Sequence, residues 1–376
     1  MVILQGVRPP RRSSRPWPLA VAVVAAWLWA GSAAPALAAP RIIEPLRAQA
    51  PRTAGAGAWF FRDRVITHPV ASAAVATGRI LTLHYAVGGE TVEIALSPTF
   101  ADIPQNRAAA RSIVDFLGTR VHGPELGQLR VFIGTQAEVS LLCGGGVEVL
   151  GCYSSSQHRM FVPDREPPGG PYSREYAMTH EYGHHIASLR SNAPWPALSW
   201  GPKYWASYEH VCARAERHLL FPGDEGSHYA ANPGEGFADS YAHLQYPAVP
   251  FQYAPIMAPT PGSLAAVRRD VLHPWRGSRR TRLRGVLSAT AAVRTFPIRQ
   301  SLDGFLSFRL QGPAGSNYDL ELVNRGRVVR RTTARGSRDR LTVLGCRASA
   351  QTATYALRVV RRGGAGPFWL DTAVAG

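Results

Sequence analysis

Apolar residues recur along this chain with two different periods, and the change from one to the other divides it. In "RILTLHYAV" and "TVEIALSPT" apolar and polar positions alternate on either side of Gly88-Gly89, which predicts a hairpin. Between Ile103 and Arg120 the spacing turns helical, with Ala109, Ile113, Phe116 and Leu117 on one face and Gly118 marking the stop. "LRVFIG" (129–134) and "HRMFVPD" (158–164) read as short strands. After "EPPGGPY", Ser173 is placed to cap a helix with Glu175 in its first turn. That helix carries "MTHEYGHHI" and should end near Arg190, before Pro194. A second helix is expected over about 203–220, with Trp205, Tyr208, Cys212, Ala215 and Leu219 on one side, and a third over about 234–246. Residues 247–262 read as a proline-rich connector and 263–285 as an arginine-rich linker. Beyond that, "FLSFRLQG", "YDLELVNRG", "RVVRRTT", "DRLTVLGC", "TYALRVVRR" and "GPFWLDTAV" are short β-type runs between Gly, Asn and Ser, the spacing of a small antiparallel sandwich.

Composition adds that the chain is globular. Its 376 residues are 45% hydrophobic and 18% charged, enough for two domains and a sizeable core. The formal charge of +17 invites a nucleic-acid partner, but every basic residue except Lys203 is an arginine, and they are spread along the chain. No recognition motif with interleaved aromatics accompanies them, so no specific nucleic acid is expected. General attraction to anionic cell-wall polymers fits the charge.

The N-terminus adds a compartment. Arg8, Arg11, Arg12 and Arg15 precede the apolar run "LAVAVVAAWLWA", and "PALAAP" offers small residues at Ala36 and Ala38 for signal peptidase. Cleavage after Ala38 would leave a secreted protein with no stable membrane anchor. Export makes the cysteines readable: Cys143 and Cys152 bracket "CGGGVEVLGC", a short span that a disulfide closes. Cys212 and Cys346 either pair across domains or stay free. Residues 39–75, rich in Ala, Arg and Pro, read as a flexible or pro-segment-like lead.

The chemistry concentrates in "MTHEYGHHI". Helix positions four apart are separated by roughly 40° of rotation, so His180 and His184 share a face and can ligate one Zn²⁺. Glu181 is within reach of a water there. This is H-E-x-x-H, in which the glutamate is the general base of a zinc peptidase. His185 lies about 100° round from His184 and cannot share its metal within one helix. No His continues the motif at the metzincin spacing, because Ala187 and Arg190 stand where its later Gly and His would fall. Downstream, "NPGEGFAD" places Glu235 and Asp239 four apart on the next amphipathic helix, so these two also face one way.

H-E-x-x-H followed by E-x-x-x-D resembles the gluzincin, or thermolysin-like, pattern of zinc metallopeptidases, over residues 172–246. The resemblance implies that Glu235 is the third zinc ligand and that Asp239 accepts the other ring N–H of a ligand histidine. It also implies that strand 158–163 is an edge strand on which an extended peptide pairs. The pattern departs from thermolysin in the Pro-Gly between Asn232 and Glu235 and in a longer gap between the motifs, which points to the clan and not that family. For the donor to the developing oxyanion, His228, Tyr229, Tyr241 and His243 stand near the second motif. The loop pair His228-Tyr229 is preferred, with His228 taken as the catalytic residue. "YDLELVNRG" and "TYALRVVRRGGAGPFWLDTAV" resemble the bacterial pre-peptidase C-terminal domain, whose members are appended to secreted peptidases.

The expected architecture is thus an α+β zincin-like catalytic domain with a small sheet and active-site helices, followed by an all-β sandwich. Its boundaries are 1–38 signal peptide, 39–75 lead, 76–262 metallopeptidase-like domain, 263–285 linker and 286–376 sandwich. The expected activity is hydrolysis of polypeptides by a zinc-activated water. The alternatives are a non-catalytic secreted binding protein on the same fold, or a zinc hydrolase of cell-wall amide bonds.

Overall fold

The computed structural model describes residues 40–46, 63–69, 78–145, 149–167 and 171–376. The signal-peptide span and its cleavage site lie outside these residues.

The N-terminal part is mixed α/β. The predicted hairpin forms as β2 (Leu81–Val87) and β3 (Glu90–Leu96), with Val87 opposite Glu90 across Gly88-Gly89. Both glycines have φ in the left-handed region, at 58° and 84°, which a two-residue hairpin turn requires. Helix α1 (Pro104–Gly118) buries Ala109, Ile113 and Leu117 at the expected spacing. Together with β1 (Val65–Ile66), β4 (Arg130–Gly134), β5 (Cys152–Ser154) and β6 (Arg159–Pro163), the hairpin builds a six-stranded sheet in the order β1-β5-β6-β4-β3-β2. Between β4 and β5, helix α2 (Gln136–Leu142) is closed at its N-terminus by a Thr135–Glu138 capping box. The main core lies between the sheet and the helices, around Ile94, Ile113, Val131, Met160, Tyr182 and Phe237.

Several expectations change here. Strand 158–163 is not an edge: β6 pairs with β4 on one side and β5 on the other. Beyond it come β5, a three-residue strand too short to carry an alternation signal, and β1, which lies along β5 in parallel and forms the edge. The described parts of the 39–75 lead are tied into the fold. Ile43 is fully buried and donates its N–H to Asn106 Oδ1 at 2.8 Å, while Glu44 O accepts from Arg174 Nη2 at 2.6 Å.

The helix expected over 203–220 is two, α5 (Lys203–Tyr208) and α6 (Val211–Glu216), broken at His210, whose φ of 51° is left-handed. Before them, α4 (Ala197–Trp200) is a single turn. The linker 263–285 also largely disappears. It holds α8 (Pro261–Leu272), which starts at a Thr260–Ser263 capping box and buries Val267 and Val271 in the main core. The sandwich then begins early, at β7 (Arg279–Leu287).

That C-terminal part is wholly antiparallel. The strands are β8 (Val293–Gln300), β9 (Gly304–Gln311), β10 (Asn317–Asn324), β11 (Arg327–Arg331), β12 (Arg338–Gly345), β13 (Ala353–Gly363) and β14 (Gly366–Val374). They form two four-stranded sheets, β11-β10-β13-β8 and β12-β9-β14-β7. Alternation along β9 sends Leu306, Phe308 and Leu310 inward against Leu320, Leu357 and Phe368. The sandwich is joined to the helical part by polar and covalent links. Arg347 Nη2 donates to Ser207 O at 2.9 Å, Asp303 N donates to Ser207 Oγ at 2.9 Å, and Cys212 is disulfide-bonded to Cys346. Of the two alternatives open for these cysteines, pairing is the one realised. The Cys143–Cys152 disulfide forms as expected. No helix among the described residues is long and apolar enough to cross a membrane.

Candidate metal centre

Two helices carry the chemistry. Helix α3 (Arg174–Ser188) begins at Ser173, whose side chain accepts from Tyr176 N as a helix cap should. Helix α7 (Pro233–Ala242) begins at Asn232, whose side chain accepts from Gly234 N, with Pro233 in the first turn. They cross at Gly183, the third residue after His180: a β-carbon there would lie 2.8 Å from Ala238 Cα. Only glycine permits that approach, and it brings the two motif faces together.

His180 Nε2 and His184 Nε2 end 3.1 Å apart, which confirms the shared face. Glu235 Oε2 lies 3.3 Å from the first and 3.2 Å from the second. A fourth group completes the cluster: Asp63 Oδ2, at 3.0 Å and 3.1 Å from the same two nitrogens. All four side chains are fully buried. Ligand atoms about 2.0 Å from a common centre in a tetrahedron lie about 3.3 Å from one another, so this spacing fits a small cation. Two nitrogens and two oxygens are a donor set that suits a borderline metal such as zinc. The group of Asp63, His180, His184 and Glu235 could thus hold a metal ion.

Electrostatics agree with a site built for positive charge. Burial works to lower the His184 imidazole, but the Glu235 and Asp63 carboxylates outweigh it and lift it to about 10. His180 is raised in the same way against its burial, by Asp63, Asp239 and Glu235. Asp63 itself is held well below the usual carboxylate range, the two imidazoles overcoming the cost of burial. A divalent cation can take the place of the protons these groups would otherwise gather.

Around the cluster, Asp239 Oδ1 faces His180 Nδ1 at 3.5 Å and accepts from the Tyr176 hydroxyl. That is the position expected of a carboxylate that orients a ligand histidine. Glu181 is fully buried beside the cluster, and neither of its carboxylate oxygens has a hydrogen-bond partner among the described residues. Burial first, and then the Asp63 charge, push it well above the ordinary carboxyl range. Gly151 leaves room for it, since a β-carbon there would meet Glu181 Oε1 at 3.1 Å.

His228 is not in the cluster. Its side chain is 48% exposed, pairs with Asp224 at 2.9 Å and stacks on Phe221. Its neighbour Tyr229 turns inward instead: its hydroxyl donates to Asp63 and lies 3.3 Å from Glu235 Oε2. A one-turn helix over Tyr229–Ala231 decides which of the pair points in. Tyr253, from the expected connector, places its hydroxyl 3.2 Å from that of Tyr229 and 3.4 Å from Glu235 Oε2. Tyr241 and His243 serve elsewhere, on Val121 O at 2.6 Å and on Val249 O at 2.8 Å. His185 points away from the cluster, as helix geometry requires. Its Nε2 meets Glu125 O at 2.8 Å and its Nδ1 meets the Tyr153 hydroxyl at 3.1 Å.

Sequence reasoning missed Asp63 and Tyr253. Asp63 stands in "FRDRVIT", where the only local signal is the short β-type run that follows it.

No protein-family model matches the chain, and no curated protein does. Among solved structures it is similar to the pre-peptidase C-terminal domain of a collagenase from Bacillus anthracis. That similarity has 14% identity and a TM-score of 0.21, and it covers 24% of this chain and 85% of that one.

Proposed function

We propose that this chain is a secreted, zinc-dependent peptidase with a zincin-like catalytic region of the gluzincin type. The observation that carries the reading is the unpartnered, buried carboxylate of Glu181 beside a cluster of metal-ligand geometry. A purely structural ion has no use for such a group, whereas a hydrolase needs a base there. His180, His184 and Glu235 would hold the ion. When bound, it would lower the pKa of a water and polarise a substrate carbonyl.

The chain's own residues do the rest. Glu181 regains its base form once positive charge occupies the cluster, and takes the proton of the attacking water. Asp239, 3.5 Å from His180 Nδ1, would accept its proton and keep Nε2 turned to the ion. The Tyr229 and Tyr253 hydroxyls replace His228 as donors to the developing oxyanion. The Cys143–Cys152 and Cys212–Cys346 disulfides fit an oxidising compartment.

The test couples metal analysis to a peptide-cleavage screen sensitive enough for basal turnover, with the chain and its Glu181→Gln variant side by side. The variant is expected to keep its metal and lose hydrolysis at least about a hundredfold. Equal turnover by both proteins sinks the mechanism. A second reading, a non-catalytic protein with a structural ion, is favoured by one observation: Asp63 makes the ligand set four, and structural zinc sites are closed. It expects tight metal and no turnover from any variant.

A further inference from the structure

We propose that residues 63–67 are an intramolecular strap that closes the metal centre, and that the chain carrying it is a latent form. In this assignment Asp63 occupies the coordination position that a catalytic site keeps open for water. The proposal rests on the reading of the centre as a peptidase site.

Asp63 stands as a full ligand. Its Oδ2 is no farther from the two imidazole nitrogens than Glu235 Oε2 is. Four protein ligands leave no place for a reacting water. Yet Glu181 is beside them with both oxygens idle, an arrangement that makes sense only if one ligand is exchangeable.

The strap also blocks the approach. Asp63, His180, Glu181, His184 and Glu235 are all 0–2% exposed, so no polypeptide reaches them in this form. Beyond Asp63, the strap takes the edge of β5: Tyr153 N donates to Arg64 O at 3.1 Å and Ser155 N to Ile66 O at 3.0 Å. Those are the backbone groups that an extended substrate would use on this sheet. One segment thus fills both the metal position and the strand position.

Its attachment suits release. The ladder to β5 is two residues long, and Val65 and Ile66 are only half-buried. Three of its other bonds are long: Asp63 N to the Tyr229 hydroxyl and Val65 N to Glu225 Oε2, each at 3.4 Å, and Arg64 Nη1 to Gly144 O at 3.2 Å; at its far end Thr67 O accepts from Ser154 Oγ at 3.2 Å and from Ser156 Oγ. None of its side chains belongs to the main core, in contrast to Ile43 from the same lead. Withdrawing it costs an edge, a ligand and the packing of Ile66 on the smaller cluster around Phe132 and Val139, and leaves the main core intact. It also frees the Tyr229 hydroxyl, which in the closed form is spent on Asp63.

The experiment uses the full chain loaded with Co²⁺, whose visible spectrum reports an open coordination position, and acetohydroxamate as the probe. Asp63→Ala and the near-isosteric Asp63→Asn are compared with the unaltered chain, each checked for metal stoichiometry and by thermal melting. The expected result is retained metal, at least tenfold tighter hydroxamate binding by the spectral change, and at least tenfold faster peptide cleavage. The proposal is overturned if the unaltered chain binds hydroxamate as tightly as the variants. It is equally overturned if both variants fold but lose the metal, since Asp63 is then an indispensable structural ligand. Variants that open to hydroxamate without cleaving any peptide support the strap and sink the peptidase reading.

Discussion

The two parts of this molecule treat charge in opposite ways. The α/β part draws Asp63, His180, Glu181, His184, Glu235 and Asp239 into a fully buried cluster. The sandwich packs its interior from Leu306, Phe308, Leu310, Leu320, Leu357 and Phe368, and turns its arginines outward except Arg347, which is buried against the helical part. Where it does bury acids, arginines meet them: Arg362 meets Asp319 and Glu321 at 2.7 Å and 3.4 Å, and Arg347 meets Asp303 at 3.5 Å. Taking an ionised group out of water costs several kcal/mol unless it is paired. The sandwich therefore follows the rule that stabilises a fold, and the cluster departs from it at Glu181, whose buried carboxylate has no partner among the described residues.

That contrast can be broken most sharply at Glu181. In the Asp63→Ala background, Glu181→Gln is expected to lower peptide turnover by about 10²- to 10⁴-fold with unchanged metal content, measured by elemental analysis and initial rates. Phe308→Ala in the sandwich should do the reverse. A loss of about 3–5 kcal/mol in denaturant unfolding is expected, with metal stoichiometry preserved.

Acid should expose the α/β part through His185. Burial holds this imidazole down at about 4, against 6.5 in the unfolded chain. Between those values the unfolded state binds the extra proton. The stabilisation is therefore complete above about 6.5 and lost as the pH falls through about 4, on the order of 3 kcal/mol. His185→Gln should flatten that part of the stability profile.

Asp239→Asn is expected to weaken metal binding by about 10- to 100-fold in competition with a chelator, because His180 loses the acceptor that orients it. The smallest effect belongs to the outer face of the sandwich, where Arg309, Arg338 and Arg340 line one cleft. Replacing all three by alanine should leave stability within about 0.5 kcal/mol for each change. It should reduce salt-sensitive binding of a polyanion such as polyglutamate, which would locate the attraction to anionic wall polymers. Undiminished binding removes this face from consideration.

Much of the site was legible because its rules are local. The four-residue spacing of His180 and His184, and again of Glu235 and Asp239, guarantees a common face on any helix, and Ser173 and Asn232 mark where those helices start. The sandwich was legible for the same reason, since alternation along each strand is read residue by residue. The inward turn of Tyr229 instead of His228 was not, because neighbours in a loop have no period to rank them. Nor was the edge of the sheet, since β5 and β1 are too short to show an alternation.

What the sequence alone determined, then, is the composition of each motif: two histidines and a glutamate on one helix, two carboxylates on the next, and a run of strands behind them. Only the tertiary structure decided that these motifs meet at Gly183, that Cys212 finds Cys346, and that Asp63 arrives 121 positions before His184 to complete the ligand set. The reason is physical. Helical and strand periods act over a few residues and are written in spacing, while contacts across long separations arise from packing whole elements together, which no short stretch records.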